Sequence, residues 1–136
     1  MISITYVSSA VFPFNETTLL DLVGQCQRNN ERLGITGILV YSDGNFIQVI
    51  EGADLVTHAL YDRIALDARH RAVNTVARQQ IDAREFQGWS MAYNLLPPKA
   101  LRTHRTPHAF LDLARQRPLP LPQGSASSLV CSFMQA

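Results

Sequence analysis

The dipeptide Asp43-Gly44 separates two β-rich runs, Ile35 to Tyr41 and Phe46 to Glu51, and restricts the fold more than any other feature of the chain. A two-residue Asp-Gly turn matches the twist of paired antiparallel strands, so the two runs form a hairpin. The turn sets Ser42 opposite Asn45 and carries the register along to place Leu39 opposite Gln48. Both strands are apolar on both faces, with Ile38, Val40, Ile47 and Val49 on one and Ile35, Leu39, Phe46 and Ile50 on the other. Each face therefore needs a cover, which excludes a sheet with one solvated side.

The flanking pattern supplies covers. Ile2, Ile4 and Tyr6 alternate with Ser3 and Thr5, the period of a strand with one buried face. Asn15 caps a helix whose apolar residues Leu19, Leu22, Val23 and Cys26 recur at three and four, and which is predicted to stop near Asn29-Asn30. A second helix follows Gly52, with Asp54 near its start and Val56, Leu60, Ile64 and Asp67 on one side. Val73 to Ile81 reads as a further strand and Trp89 to Tyr93 as a short last one. The order β-α-β-β-α-β with an extra β predicts an α+β, ferredoxin-like sheet with two helices on one face.

From Leu95 the composition changes. Thr106-Pro107 reads as a cap and first helical position, and Pro118 ends a short helix carrying Ala109, Phe110, Leu113 and Ala114. This helical extension is expected to cover the second sheet face. The run Pro118 to Pro122 should be extended, leaving the final residues as a strand-like or disordered tail. Residues 1–94 are thus expected to form one domain and 95–136 its C-terminal extension.

Composition narrows the function classes. The chain has 136 residues, one domain's worth, and with 46% apolar and 17% charged residues it is too hydrophobic for a disordered polymer. Twelve basic against eleven acidic residues leave a charge of +1, no electrostatic footprint for nucleic acid or an anionic membrane. No apolar run is long enough to span a bilayer and Met1-Ile2-Ser3-Ile4 lacks a basic start, so a cytoplasmic location is expected. Cys26 and Cys131 have no CxxC spacing and read as reduced thiols; His104 and His108 are separated by Pro107, so no metal site is expected.

Three polar side chains fall on faces assigned to the interior. Asn30 lies within about 40° of the helix direction shared by Leu19, Val23 and Cys26. Gln48 sits between Phe46 and Ile50, and Tyr6 points where Ile4 points. A buried amide or phenol without a partner costs about 1–3 kcal/mol, so all three need internal hydrogen bonds. Taken singly, each has a plain structural reading: Asn29-Asn30 as a helix C-cap, Gln48 bonded to neighbouring backbone, Tyr6 as core with its hydroxyl at the rim. Together they place a phenol and two amides near the gap between the sheet and the two helices, which suits a flat apolar ligand with a donor–acceptor edge. Asp67, Arg69 and His70 stand at the mouth of that gap, either as a charged helix end or as a clamp for hydroxyls and phosphate. No GxGxxG or GxxxxGK[ST] occurs, so side chains would have to hold a phosphate.

Tyr6-Val7-Ser8, Asn29-Asn30, Gly34-Ile35-Thr36-Gly37, Phe46-Ile47-Gln48 with Glu51-Gly52, Asp67-Ala68-Arg69-His70 and Trp89-Ser90-Met91 occur in this order. Residues 1 to 94 thereby resemble a BLUF domain, a flavin-based blue-light sensor. The resemblance implies non-covalently bound FAD, with FMN or riboflavin as alternatives. It implies that Asn30, assisted by Asn29, bonds the flavin's pyrimidine edge and that Gln48 lies between Tyr6 and the flavin. It further sets Asp67, Arg69 and His70 beside the ribityl and phosphate side, Cys26 near the flavin, and Ser8, Trp89 and Met91 near the Tyr–Gln pair, the last two as signal relay. The implied mechanism is photochemical rather than enzymatic turnover. Tyr6 gives up an electron and then a proton through Gln48, and recombination leaves the Gln48 amide rotated or tautomerised. The signal is expected to leave through a homo-oligomer or a downstream protein. Two rival classes are a small flavin oxidoreductase, for which no nicotinamide site is evident, and a flavin-free ferredoxin-like interaction module.

Overall fold

The computed structural model describes residues 1–96, 109–112, 117–120 and 123–135, with side chains described for 1–96 and 123–135. The elements are β1 (Ile2–Ala10), α1 (Glu16–Leu33), β2 (Thr36–Ser42), β3 (Asn45–Gly52), α2 (Asp54–Ala65), β4 (His70–Gln80), β5 (Ala92–Leu95), β6 (Ala109–Asp112), β7 (Arg117–Pro120) and α3 (Ser125–Gln135). Among the described residues they form one sheet in the order β4-β1-β3-β2-β5-β6-β7. β1 is antiparallel to both β3 and β4, β2 is antiparallel to β3, and β5 runs parallel to β2. The architecture is the expected α+β, ferredoxin-like one. Among the described residues no helix is long and apolar enough to cross a membrane.

The β2–β3 hairpin has the register its turn dictates, with Ser42 opposite Asn45 and Leu39 opposite Gln48. Asp43 and Gly44 both have positive φ, 49° and 82°, the backbone that a primed two-residue turn requires. The two faces separate as the pattern says. Leu39, Tyr41, Phe46 and Ile50 pack with Ile4 and Tyr6 beneath Leu19 and Val23 of α1 and Leu60 of α2. Ile38, Val40, Ile47 and Val49 form a second core with Phe86, Ala92 and Leu96.

Several boundaries differ from expectation. α1 runs one turn past Asn30, and its cap is Gly34, in left-handed conformation at φ 68°, bonding the carbonyls of Asn30 and Glu31. The capping reading of Asn29-Asn30 is therefore corrected: Gly takes that conformation without the steric cost an Asn pays, so the helix continues to it. At the other end Asn15 is the N-cap, closed reciprocally with Thr18, a feature typically worth about 1 kcal/mol. β4 starts three residues before Val73, and Trp89 to Met91 precede β5 rather than lying in it.

The largest correction is in the C-terminal segment. Ala109 and Phe110, expected in a helix, lie in β6, which pairs antiparallel with β5 through Tyr93 and Leu111. Thr106-Pro107, Leu113 and Ala114 lie outside the described residues. A helix hemmed between two prolines is too short to be stable without a packed face, whereas β5 presents an open edge that a short strand completes. Pro118 and Pro120 fit β7 because it is an edge strand of the described sheet, where a missing N–H breaks no ladder. The second face is nonetheless covered by a helix. That helix is α3, whose Ala126, Val130 and Met134 recur at spacing four and are buried in the second core, so an ordered amphipathic helix replaces the expected strand-like or disordered end.

Gly37, opposite Ile50 near the open end of the hairpin, has no room for a side chain, since a Cβ there would overlap the Val49 carbonyl. Gly37→Ala should lose about 3 kcal/mol of stability through overpacking against backbone that cannot retreat. Gly44→Ala, where only positive φ is at stake, should lose about 1 kcal/mol. Urea unfolding of the two variants checks the order, and an equal or smaller loss at position 37 would contradict it.

Candidate functional site

Tyr6 and Gln48 are direct cross-strand partners in the β1–β3 ladder, so their side chains leave the sheet together towards α1 and α2. Tyr6 is wholly buried and Gln48 nearly so. The Tyr6 hydroxyl donates to Gln48 Oε1. The other end of the same amide, Nε2, faces Met91 Sδ at 3.7 Å. The amide thus has a defined polarity: oxygen to the phenol, nitrogen to a weak sulfur acceptor. Burial above all, with Cys26, Tyr61 and Asp67 nearby, pushes the Tyr6 phenol well above its usual range. Tyr6 is therefore a neutral donor at any ordinary pH.

Above this pair lies the cleft between α1 and α2. Two adjoining cavities, about 60 and 260 Å³, share Cys26, Gln48, Ile64, Asp67 and Arg69 in their walls. The narrower one adds Tyr6, Leu22, Leu39, Phe46 and His70, the wider one Asn29, Asn30 and Arg63. A larger groove, about 770 Å³, lies by Pro13, Tyr41 and Leu96, away from Tyr6, Gln48 and Asn30. Cys26 faces the cleft, and burial raises its thiol to about 11, so it presents an S–H rather than a thiolate.

Asn30 is buried on α1, and its Nδ2 donates to the Ser90 carbonyl at 2.5 Å. Gln27, three residues earlier on the same helix, donates from Nε2 to the Met91 carbonyl at 2.9 Å. Two carboxamides of α1 therefore hold the segment that carries Met91 over Gln48. Asn29 is exposed, with Oδ1 3.5 Å from Arg32 Nη2, and lines the wider cavity.

Past the end of α2, Asp67 and Arg69 form an ion pair at 2.6 Å, and Arg69 Nη1 reaches Gln25 of α1 at 2.9 Å. The Arg69 guanidinium, bonded to the Asp67 carboxylate, holds that carboxyl below its usual range. His70 begins β4. Its Nε2 faces the Ile64 carbonyl at 2.8 Å, and because a carbonyl only accepts, the proton sits on that nitrogen. Its Nδ1 pairs with Ser8 Oγ at 3.2 Å. With both nitrogens engaged, His70 ties α2 to β1 and offers the cleft its ring.

Tyr6, Gln48, Asn30, Cys26, Asp67, Arg69 and Met91 thus converge on one cleft, while Ser8 and His70 brace its rim. Trp89 does not join them. It is packed with Phe86 in the second core, ring centroids 5.8 Å apart, on the far side of the sheet from Gln48. Sequence reasoning misses Gln25, Gln27 and Arg63. Gln27 is legible as the i−3 neighbour of Asn30 on α1, on the side of that helix that meets residues 90 and 91.

The donor set fits a flavin. Leu22, Leu39, Phe46 and Ile64 supply apolar walls for a planar ring, the amides of Asn30 and Gln48 supply both donors and acceptors for its polar edge, and Arg63 and Arg69 supply guanidiniums for an anionic tail. Among the described residues no group of three or more His, Cys, Asp or Glu could hold a metal ion.

Comparison with known proteins agrees with this chemistry. Residues 1–92 match the BLUF family, described as sensors of blue-light using FAD. The chain is 34% identical over 90 residues to the photoactivated adenylate cyclase subunit beta of Euglena longa, a stretch covering 65% of this chain and 10% of that protein. It therefore spans about a tenth of the length of the curated relatives it matches. Among solved structures, the BLUF protein BlrB in its dark state superposes with a TM-score of 0.66 at 33% identity, covering 69% of this chain and 71% of that one. BlrP1 of Klebsiella pneumoniae, in a manganese and cy-diGMP complex, superposes with a TM-score of 0.73 at 27% identity, covering 98% of this chain and 32% of that one. With its Tyr–Gln pair at the floor of an amide-lined cleft and two thirds of its length matched to one family, the chain belongs to the BLUF family of blue-light sensors.

Proposed function

We propose that the chain is a blue-light photoreceptor that holds FAD non-covalently between α1 and α2 and reports illumination through the Gln48 amide. The observation that carries this reading is the hydrogen bond from the buried Tyr6 hydroxyl to Gln48 Oε1. The bound flavin supplies an electron acceptor that blue light makes strongly oxidising. Tyr6 is the electron donor: its neutral phenol becomes strongly acidic once oxidised, and the proton leaves along the bond to Gln48. Gln48 passes that proton on, and the return of both electron and proton to Tyr6 leaves the Gln48 carboxamide rotated or tautomerised, with donor and acceptor exchanged. Asn30 and Asn29 orient the ring's polar edge, and Asp67, Arg69 and Arg63 hold the ribityl and phosphate side. FMN is the alternative cofactor, since the arginines that grip one phosphate serve either; a solved structure of BlrP1, 33% identical to this chain, is of that protein with FMN.

Residues 1–94 form the sensing part in this reading and 95–136 its extension. Met91 touches the Gln48 amide, and α3 covers the opposite side of the same hairpin. A change at Gln48 therefore reaches a partner protein, or a second copy of the chain, through the 89–95 segment and the C-terminal cover.

The purified chain, loaded with flavin, should be yellow and show a small, thermally reversible red shift after blue light. Tyr6→Phe removes the donor hydroxyl and Gln48→Leu the switchable amide, so each should abolish the shift while flavin stays bound. A full shift in either variant would overturn the relay.

The pH dependence has a definite sign. Because the Tyr6 phenol is raised above its ordinary 10.0, its neutral, donating form persists through that value and is lost only at higher pH. The red shift should therefore keep its size from about pH 6 to about pH 10. An amplitude that falls with a midpoint at or below 10 in protein that retains flavin would contradict the buried, neutral phenol.

A further inference from the structure

Glu51 closes β3 on the face opposite Gln48 and is completely buried. A buried carboxylate requires partners, and two of its three donors come from one segment. Oε1 accepts from the Phe86 N–H at 2.7 Å and from Thr36 Oγ1 at 2.8 Å, and Oε2 accepts from the Glu85 N–H at 3.1 Å. Arg84 completes the arrangement, donating to Thr36 Oγ1, to the Glu51 carbonyl and to the Gly34 carbonyl. Residues 84–86 are thereby pinned to the end of the hairpin.

The pinned segment has two outputs. Going forward, Trp89 N–H returns to the Phe86 carbonyl and the Trp89 carbonyl takes the Gly37 N–H, so the turn delivers Ser90 to Asn30 and Met91 to Gln48 and Gln27. On the other face, the Glu85 carboxylate receives the Ala126 and Ser127 N–H groups and the Ser127 hydroxyl at 3.1–3.3 Å. It thus caps α3, where a carboxylate satisfies orphan N–H groups and opposes the helix dipole.

We propose that Glu51 is a positioning residue for the light switch: its carboxylate fixes residues 84–86, and through them sets Met91 against Gln48 on one face and the start of α3 on the other. The inference rests on the relay reading above and assigns that relay a mechanical route to the C-terminal helix. Any movement of Met91 on reversal of the Gln48 amide pulls on a segment whose other end holds α3, and the coupling is reciprocal.

The test uses the full, flavin-loaded chain with Glu51→Gln and Glu85→Ala, reading flavin content, size of the red shift, dark-recovery rate, and backbone amide exchange in unilluminated protein. Glu51→Gln is isosteric but puts an amide nitrogen against one of the two N–H donors. It should keep flavin and the size of the shift, because Tyr6 and Gln48 are untouched. It should also speed dark recovery about fivefold, the factor of one lost hydrogen bond, and raise exchange at Glu85, Phe86 and residues 125–127. Glu85→Ala, outside the core, should raise exchange at 126 and 127 and change recovery by about twofold or more at an unchanged shift. It decides the matter by itself if Glu51→Gln does not fold. Unchanged recovery together with unchanged exchange at 125–127 in folded variants would overturn the proposal. Absence of any red shift in the unsubstituted chain would sink the relay instead, leaving the exchange results to decide whether Glu51 positions residues 84–91.

Discussion

A hydrogen bond between two side chains that face each other across the β1–β3 ladder governs this molecule. Tyr6 and Gln48 can meet only because β1 pairs with β3 rather than β2, and because the Asp43-Gly44 turn fixes the β3 register. A slip of one residue would turn Gln48 to the opposite face and put Ile47 or Val49 beneath the cleft. The doubly apolar hairpin makes that slip costly, since it would bury Gln48 in the second core. Precision at the switch is thus inherited from the packing of the two faces, and the switch itself adds only one polar pair to a floor of hydrocarbon.

In the proposed reading the same sheet separates detection from output. On one face α1 and α2 enclose the amides, the phenol and the ion pair; on the other α3 closes a core that contains no part of the cleft. What connects them is the stretch from Arg84 to Met91, which crosses from the Glu51 carboxylate and the α3 cap to the Gln48 amide. The hydrogen bonds of this stretch are the proposed route of the coupling. Trp89 and Met91, two residues apart, illustrate the division, one packed with Phe86 in the second core and the other touching Gln48.

Much of this is legible in the sequence because periodicity and turn chemistry are local. The hairpin register, the two faces of β2 and β3, the Asn15 cap and the inward direction of Tyr6, Asn30 and Gln48 all follow from spacing. The convergence of those three on one cleft is non-local, and it emerges only when their inward faces are combined with the order of motifs. What is not legible depends on competition between distant segments. Ala109 and Phe110 have a helix-like composition, yet the open edge of β5 recruits them as a strand. Glu51 has the sequence context of an ordinary strand end, and only the return of residues 84–86 makes it a buried hub. Asn29-Asn30 has the composition of a cap, and Gly34, four residues on, can open a strand as readily as it closes the helix; the structure has it close the helix.

Reversal of the Gln48 carboxamide is most directly observed by nuclear magnetic resonance of the flavin-loaded chain carrying 15N-labelled glutamine side chains, recorded in darkness and under blue light. The Gln48 Nε2 protons should move on illumination and return with the same rate constant as the visible absorption band, and should stay fixed in Tyr6→Phe. Gln48 resonances that remain unchanged while the absorption band shifts and recovers would contradict the hydrogen-bond switch.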